Sequence, residues 1–437
     1  MAETPIAVLG TGMAGVGAGH ELLARDVRFV CYDKSPYRGG HTCSIRYDNG
    51  FVFDEGPHIS FTKNERVRAL LAEAVQGRHE EREFAIDNYW HGYRIPHPVQ
   101  CHLNELPVEL TIEIIRDFAN RAAYQSDTGY ATYAQWLYAA YGKTFAEKFP
   151  MVYGHKYHTT TMDLLTTDWI GPRMYQPTLE ELLRGALAPQ KPDKHYIQSF
   201  RYPLSGGFAS YVEGLSSQFD VRLNHRLTAI DPQQRLLRFA NGEVQQYSAV
   251  ISSIPLPDLV PLIDCAPTAV LDAARRLSFS TVVLFNIGLN RADISNAATT
   301  YFYDEDIVFS RGCFPHMFAE RNAPAGCGSI QVEVYFSDRY RPLPSEPKSL
   351  LPAVLRDLRR CQLIKERDEV LLTDAIVVRY ANIIYDADRA AAVATIHAFL
   401  DEVNVHYCGR FGRWDHSWTD EAFVSGEESA RKVLAAL

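Results

Sequence analysis

Apolar and polar positions along the chain switch between two periods, and the switches mark out the elements. Residues 5 to 33 open with an apolar run, PIAVLG, and pass through Gly10-Thr11-Gly12-Met13-Ala14-Gly15. They continue with helical spacing and close on a second run, VRFVCYD. That pattern predicts strand, tight turn, helix and strand. GFVFDEGPHI reads as a further strand, and residues 64 to 75 as a helix. In IDNYWHGYRIPHPVQ, Gly92 separates two aromatic-rich runs while Pro96 and Pro98 exclude a helix, so a strand, turn and strand are expected. From Glu105 to about Lys156 the spacing is helical throughout. FRYPLSGGFASYVEGL then predicts a glycine turn and a helix, followed by a β-meander around Asn241-Gly242. Residues 277 to 340 alternate as strands, 347 to 362 read as a helix, and LLTDAIVVRYANIIYD as one more strand. Near the end, VHYC leads into Gly409-Arg410-Phe411-Gly412 and a helix-like EESARKVLAAL.

The first turn carries chemistry. A G-x-G-x-x-G between strand and helix lets backbone approach a pyrophosphate at a helix N-terminus, and an acid about 20 residues on, here Asp33, can hold a ribose hydroxyl. A bare glycine motif is weak evidence, because such turns also occur where nothing binds. The strand before, the helix after and the acid strengthen it. Gly39-Gly40-His41 soon after Asp33, and Gly56-Pro57-His58 beyond, favour the longer flavin dinucleotide over NAD, so FAD is the expected cofactor. The Gly409 to Gly412 turn, far away in sequence, is placed to supply amides to the same ligand.

The expected fold class is therefore α/β: a Rossmann-like FAD-binding domain of the glutathione-reductase type, an inserted helical bundle and an antiparallel-sheet substrate domain. Residues 1–85, 201–260 and 400–437 are assigned to the FAD-binding domain, 105–165 to the bundle, and 86–104, 166–200 and 261–399 to the sheet domain. No internal repeat, low-complexity tract or charge block interrupts this plan.

At 437 residues and 46% hydrophobic content, the chain can bury a large core. A net charge of -9 argues against nucleic acid or an anionic membrane as partner, so any anion must be met by particular arginines. Eight cysteines show no C-x-x-C pair and no metal-ligand spacing with histidine, so reduced thiols and no metal site are expected. No apolar run reaches the roughly 18 residues that span a bilayer. The first strand starts without a charged-then-apolar leader, and a cytoplasmic location is expected.

Several ungapped stretches together resemble the UDP-galactopyranose mutase flavoproteins, which are related to protoporphyrinogen oxidases and flavin amine oxidases. They are the glycine opening, Gly56-Pro57-His58, Pro96-x-Pro98-x-Gln100, Tyr153-Gly154-His155-Lys156, Trp169-Ile170-Gly171-Pro172-Arg173, FRYP-x-x-GG, Tyr301-Phe302 with Arg311 ten residues beyond Tyr301, and Gly409-Arg410-Phe411-Gly412-x-Trp414. The resemblance covers nearly the whole chain. It implies a nucleotide-sugar mutase that interconverts pyranose and furanose forms, supplying furanose units to a glycan, as in polysaccharide biosynthesis, or to a secondary metabolite. In that chemistry N5 of reduced FAD attacks the anomeric carbon, the nucleoside diphosphate leaves and returns, and no net redox occurs. NAD(P)H or another reductant is implied as a partner, and a homo-oligomer is left open.

Residue by residue, the resemblance makes Arg173 and Arg311 the clamp on the departing diphosphate, a task suited to a permanently charged, planar fork of donors. The bland alternative for either is an ion pair, for which the acidic neighbours of Arg311 in FYDEDIVFS provide a partner. His58 is implied beside the flavin, against the alternative of a capped turn. Cofactor contacts are implied from Gly10, Gly12, Met13, Ala14, Gly15, Asp33, Lys34, Gly39, Gly40, His41, Leu227, Gly409, Arg410 and Trp418. Substrate contacts are implied from His97, Gln100, Tyr153, His158, Trp169, Tyr301, Tyr385 and His416. For Tyr301 and Tyr385 simple packing competes, since the chain holds 24 tyrosines.

Departures from the family pattern concentrate on the nucleotide. His97 replaces a tyrosine, Gly154 and His158 replace asparagine and tryptophan, Ile197 stands for an expected asparagine, and His416 for a tyrosine at the diphosphate. Flavin binding and the arginine pair are thus expected to persist while uridine recognition is in doubt. An oxidase or dehydrogenase of the protoporphyrinogen oxidase and amine oxidase kind, taking hydride onto flavin N5, stays open as the second function class. Two arginines facing the flavin favour the first.

Overall fold

The computed structural model describes residues 4–171 and 174–437. Strand β1 (Ile6–Leu9), helix α1 (Met13–Ala24) and strand β2 (Phe29–Tyr32) form the opening unit. β1 lies between β2 and Val250–Ser252, with Val405–Tyr407 and Val221–Arg222 at the edges, and all pairings in this five-stranded sheet are parallel. Both faces are covered, which is why β1 and β2 read as unbroken apolar runs rather than alternating ones. Helix Thr419–Ala436 lies along α1 so closely that a Cβ on Gly17 would meet the Phe423 carbonyl oxygen at 1.9 Å, and one on Gly426 the Ala14 carbonyl oxygen at 1.9 Å. Gly426 serves this close approach rather than ending a helix, so the last helix begins at Thr419, earlier than the EESARKVLAAL pattern suggests.

The meander around Asn241-Gly242 forms from Leu227–Asp231, Leu236–Phe239 and Val244–Gln246. The expected strand GFVFDEGPHI shrinks to Val52–Asp54, paired with Ser44–Arg46, because the chain turns at Gly56.

The second sheet has seven strands in the order Val370–Ile383, Phe279–Leu289, Gly328–Phe336, Arg311–Cys313, Thr299–Phe302, Ile86–Trp90 and Tyr93–Pro96. It is not wholly antiparallel, as expected from sequence: Thr299–Phe302 pairs with Ile86–Trp90 in parallel, since the intervening chain passes through the helices before returning. Phe279–Leu289 and Gly328–Phe336 are buried at every position, covered on both faces.

Against the seven-stranded sheet pack helices Val108–Ala119, Tyr133–Tyr141, Lys143–Lys148 and Pro150–His158, sharing a core built on Ile114, Phe118, Leu137, Phe145 and Phe149. The helical run is broken over 120–132, a stretch rich in short polar residues, and resumes where Thr132 and Gln135 make a capping box. Two expected boundaries are corrected by packing. Helix Leu179–Leu187, placed with the sheet domain, buries Leu182 in the helical core. Helices Thr268–Arg276 and Arg389–Glu402, also placed there, pack Ala273, Ala392 and Ile396 in one core with Val250 and Val405 of the parallel sheet. None of these three helices is read from the sequence; their segments are placed only by domain range, and packing shows which core their apolar faces meet. No helix of the described residues is long and apolar enough to cross a membrane.

Candidate active site

One cleft of about 1370 Å³ runs from the carboxyl ends of β1 and β2 to the seven-stranded sheet. Ligand pockets commonly measure about 300–1,000 Å³, so this cleft has room beyond a single ligand of ordinary size.

Its first compartment is the glycine cradle. α1 starts directly after Gly12 with no side-chain cap and no acid in its first turn, leaving its N-terminal amides for a ligand. Gly10 takes φ +98°, which glycine adopts without strain. Asp33 accepts from the Thr11 amide at 2.9 Å and the Thr11 hydroxyl at 2.6 Å, and from the Ser35 amide at 2.9 Å. It lines the cleft, yet it first ties the glycine turn to β2, so a ribose hydroxyl would share oxygens already in use. Gly12, Met13, Ala14, Lys34, Gly39, Gly40, His41, Leu227, Gly409, Arg410 and Trp418 line the same space. Gly15 does not: a Cβ there would meet the Gly10 carbonyl oxygen at 1.9 Å, so its smallness lets α1 sit against the turn. The Tyr32 hydroxyl, buried and without a partner among the described residues, also faces this compartment. An uncapped helix start, a glycine floor and an orphaned hydroxyl fit a dinucleotide.

His58 sits between the compartments. Its Nδ1–H donates to the Gly56 carbonyl at 2.8 Å, and burial lowers its pKa to about 4, so it is neutral at pH 7.

The second compartment is aromatic and holds Arg311, a cation fixed by a carboxylate partner. Arg311 stands opposite Glu333 in strand register, and its Nε and Nη2 donate to the Glu333 carboxylate at 2.7 and 2.6 Å, leaving the Nη1 edge for an anion. Burial opposes the charge, but the Glu333 carboxylate together with Tyr335, Cys313 and Tyr153 more than offsets it and holds the guanidinium protonated. The ion-pair partner is this cross-strand glutamate rather than the acidic run FYDEDIVFS. Tyr335 donates to Glu333 at 2.9 Å, while Tyr153 and Tyr301 meet edge-on at 5.2 Å. Burial raises the pKa of all three tyrosines, so they remain protonated donors. His97, Gln100, His158, Trp169 and His416 complete the wall. Gln100 already donates to the Tyr175 carbonyl at 2.8 Å, and Arg410 donates to His416 Nδ1 at 3.0 Å.

A further expected residue takes another place. Tyr385 lies behind the wall, where its hydroxyl donates to Asp415 at 2.8 Å and accepts from the His416 amide at 2.8 Å, so it positions His416 and does not reach the cleft. Arg173 lies outside the described residues. Glu333, Tyr335, Tyr157 and His195 line the cleft and were not anticipated. The one available signal was Glu333 itself, a carboxylate on the polar face of the alternation SIQVEVYF, within a strand whose apolar positions call for burial. Among the described residues, no group of three or more His, Cys, Asp or Glu is placed to hold a metal, and all eight cysteines are free.

The buried histidines have a consequence for acid stability. Burial also lowers His158 to about 4, below the ordinary 6.5 that the unfolded chain would show. Between those values the unfolded state binds more protons, so stability is complete above about pH 6.5 and falls as pH drops towards 4. Thermal melts across that window are expected to show a falling Tm, and His158→Phe to flatten the slope. An unchanged slope in the variant would exclude His158 from the effect.

Comparison with known proteins matches residues 13–434 to the family of flavin containing amine oxidoreductases. The chain belongs to that family, and its cofactor is FAD, as the glycine pattern implied. Its backbone superposes on a crystal structure of reduced UDP-galactopyranose mutase with a TM-score of 0.92 at 21% identity, covering 100% of this chain and 96% of that one. A putative protoporphyrinogen oxidase from Exiguobacterium sp. 255-15 follows at TM-score 0.75 and 16% identity, with 100% of both chains covered. A redesigned putrescine oxidase gives 0.67 at 15%, with 99% of both covered. No curated protein matches.

Proposed function

We propose that the protein is a flavin-dependent nucleotide-sugar mutase interconverting pyranose and furanose forms, with the diphosphate held in the second compartment. The supporting observation is Arg311: a guanidinium braced by buried Glu333 and edged by the protonated phenols of Tyr153 and Tyr301 in the wall of a flavin cleft. When bound and reduced, FAD supplies an electron-rich N5 as nucleophile towards an anomeric carbon. The chain's own residues then have two tasks. The glycine cradle and His58 fix the cofactor, while Arg311 and the phenols stabilise charge as it collects on the departing diphosphate. Arg173, expected as the second guanidinium, shares that task in this reading.

The oxidase reading draws on the Arg311–Glu333 pair itself. A guanidinium neutralised by a carboxylate leaves a compartment that an uncharged or amine substrate tolerates, and the family includes oxidases. The two readings part in one experiment. Protein reduced with dithionite or NAD(P)H should interconvert a nucleotide hexose from a panel followed by NMR, and the oxidised form should not. Turnover by the oxidised form with release of hydrogen peroxide would replace the mutase with the oxidase.

A further inference from the structure

Asn88 is fully buried on strand Ile86–Trp90, and its Nδ2 donates to the Ile95 carbonyl at 3.0 Å across the hairpin. A carbonyl can only accept, so the orientation of the Asn88 amide is fixed and its Oδ1 must point the other way. There it lies 3.1 Å from His97 Nδ1. An amide oxygen can only accept in turn, so His97 carries its proton on Nδ1 and its Nε2 is left with a bare lone pair. His97 lines the second compartment with its ring 5.3 Å from Tyr301 and 5.1 Å from His195. Burial first, and then the neighbouring His195 and His102, push its pKa well below 6.5, so the ring neither charges at pH 7 nor acts as an effective base. Around Arg311 on this wall the guanidinium edge and the Tyr153 and Tyr301 hydroxyls are donors, while Gln100 has its amide N–H on the Tyr175 carbonyl. The acceptors left beside His97 are the Gln100 amide oxygen and the neutral His158 ring, and of the two histidines only His97 has its tautomer set by a neighbouring side chain among the described residues.

We infer that His97, held by Asn88 as the Nδ1–H tautomer, is a hydrogen-bond acceptor by which the cleft selects a ligand group bearing an O–H or N–H. The inference rests on the reading that the second compartment receives substrate. Asn88 is then a positioning residue, touching no ligand but deciding which ring nitrogen carries the proton. A ligand that lacks a donor at this point leaves the lone pair buried and unmatched, which is how a site built around a hydrogen bond rejects analogues.

Nitrogen NMR of histidine-labelled holoprotein tests the first half, with the His97→Phe spectrum assigning the signal. A neutral ring protonated on Nδ1 is expected, and a ring protonated on Nε2 or on both nitrogens overturns the proposal. The second half uses UDP, putrescine and inorganic pyrophosphate as probes, followed by the flavin spectrum and the His97 Nε2 signal. UDP should move the Nε2 signal, and His97→Phe should weaken UDP by about tenfold, the size expected when one partner of a buried hydrogen bond is removed. Pyrophosphate, which offers no such donor at neutral pH beyond its own phosphate protons, should bind the variant as it binds the parent. Equal weakening of UDP and pyrophosphate, or no response of Nε2 to either UDP or putrescine, overturns the acceptor role. A response to putrescine but not to UDP removes the nucleotide-sugar reading and keeps His97 as an acceptor.

Discussion

Arg311→Ala is expected to lower turnover of the reduced protein by about 10²–10³-fold, the range found when one preorganised donor to a developing anion is deleted. The same change removes the partner of Glu333, whose side chain is 3% exposed, so a carboxylate would be left buried and unpaired. Breaking such a pair from one side costs about 3–5 kcal/mol, and the single variant should therefore melt well below the parent. Loss of activity alone would not separate a clamp from a structural brace. Adding Glu333→Gln does so, because a neutral amide keeps the size of the side chain and an oxygen for the Tyr335 hydroxyl while removing the unpaired charge. The double variant should recover most of the lost Tm, keep the flavin spectrum and remain inactive. Measured turnover near the parent level in Arg311→Ala would remove Arg311 from the diphosphate clamp, and recovery of turnover in the double variant would make the ion pair purely structural.

What could be read in advance divides along physical lines. The β1–turn–α1–β2 unit was legible because strand period, glycine positions and the acid at Asp33 all report on one short stretch of chain, where local sequence decides local structure. The helices from Val108 onwards and the long strands Phe279–Leu289 and Val370–Ile383 were legible for the same reason. Tertiary choice was not. An apolar segment says that it will be buried but not against what, and so 268–276 and 389–402, not read as helices, were grouped with the seven-stranded sheet although they pack in one core with the parallel sheet. The site followed the same rule. Residues in gapless motifs, such as Gly12, His58 and His97, reached the cleft wall. Tyr385 matched a pattern only loosely and was diverted by a hydrogen bond to Asp415, a contact between side chains 30 positions apart that no local spacing reveals. Glu333 stands 22 positions from Arg311 but directly opposite it across two strands, and register is a property of the folded sheet. The same holds for the Asn88–His97 bond, which needs the hairpin closed before it exists.

Gly15→Ala should weaken FAD binding even though Gly15 does not line the cleft. The added methyl would stand 1.9 Å from the Gly10 carbonyl oxygen and 2.9 Å from its carbonyl carbon, and because both are backbone atoms no rotamer change can relieve the overlap. Either α1 moves away from β1 or the Gly10 to Gly12 turn swings into the space meant for the pyrophosphate. In both cases the uncapped amides at the start of α1 leave their alignment with the ligand. Overpacking of this kind costs about 1–3 kcal/mol in stability. The FAD dissociation constant should rise at least about tenfold, which corresponds to only about 1.4 kcal/mol of lost alignment. A useful contrast is Gly242→Ala in the meander turn, where the glycine also has a positive φ but a Cβ would meet nothing within 4 Å. That variant should lose about 1–2 kcal/mol from backbone strain alone and bind FAD as the parent does. The comparison is made by flavin fluorescence titration of the apoproteins alongside thermal melts. If Gly15→Ala purified with full flavin content and parental affinity, the close seating of α1 on its own glycine turn would not be what aligns the cofactor site.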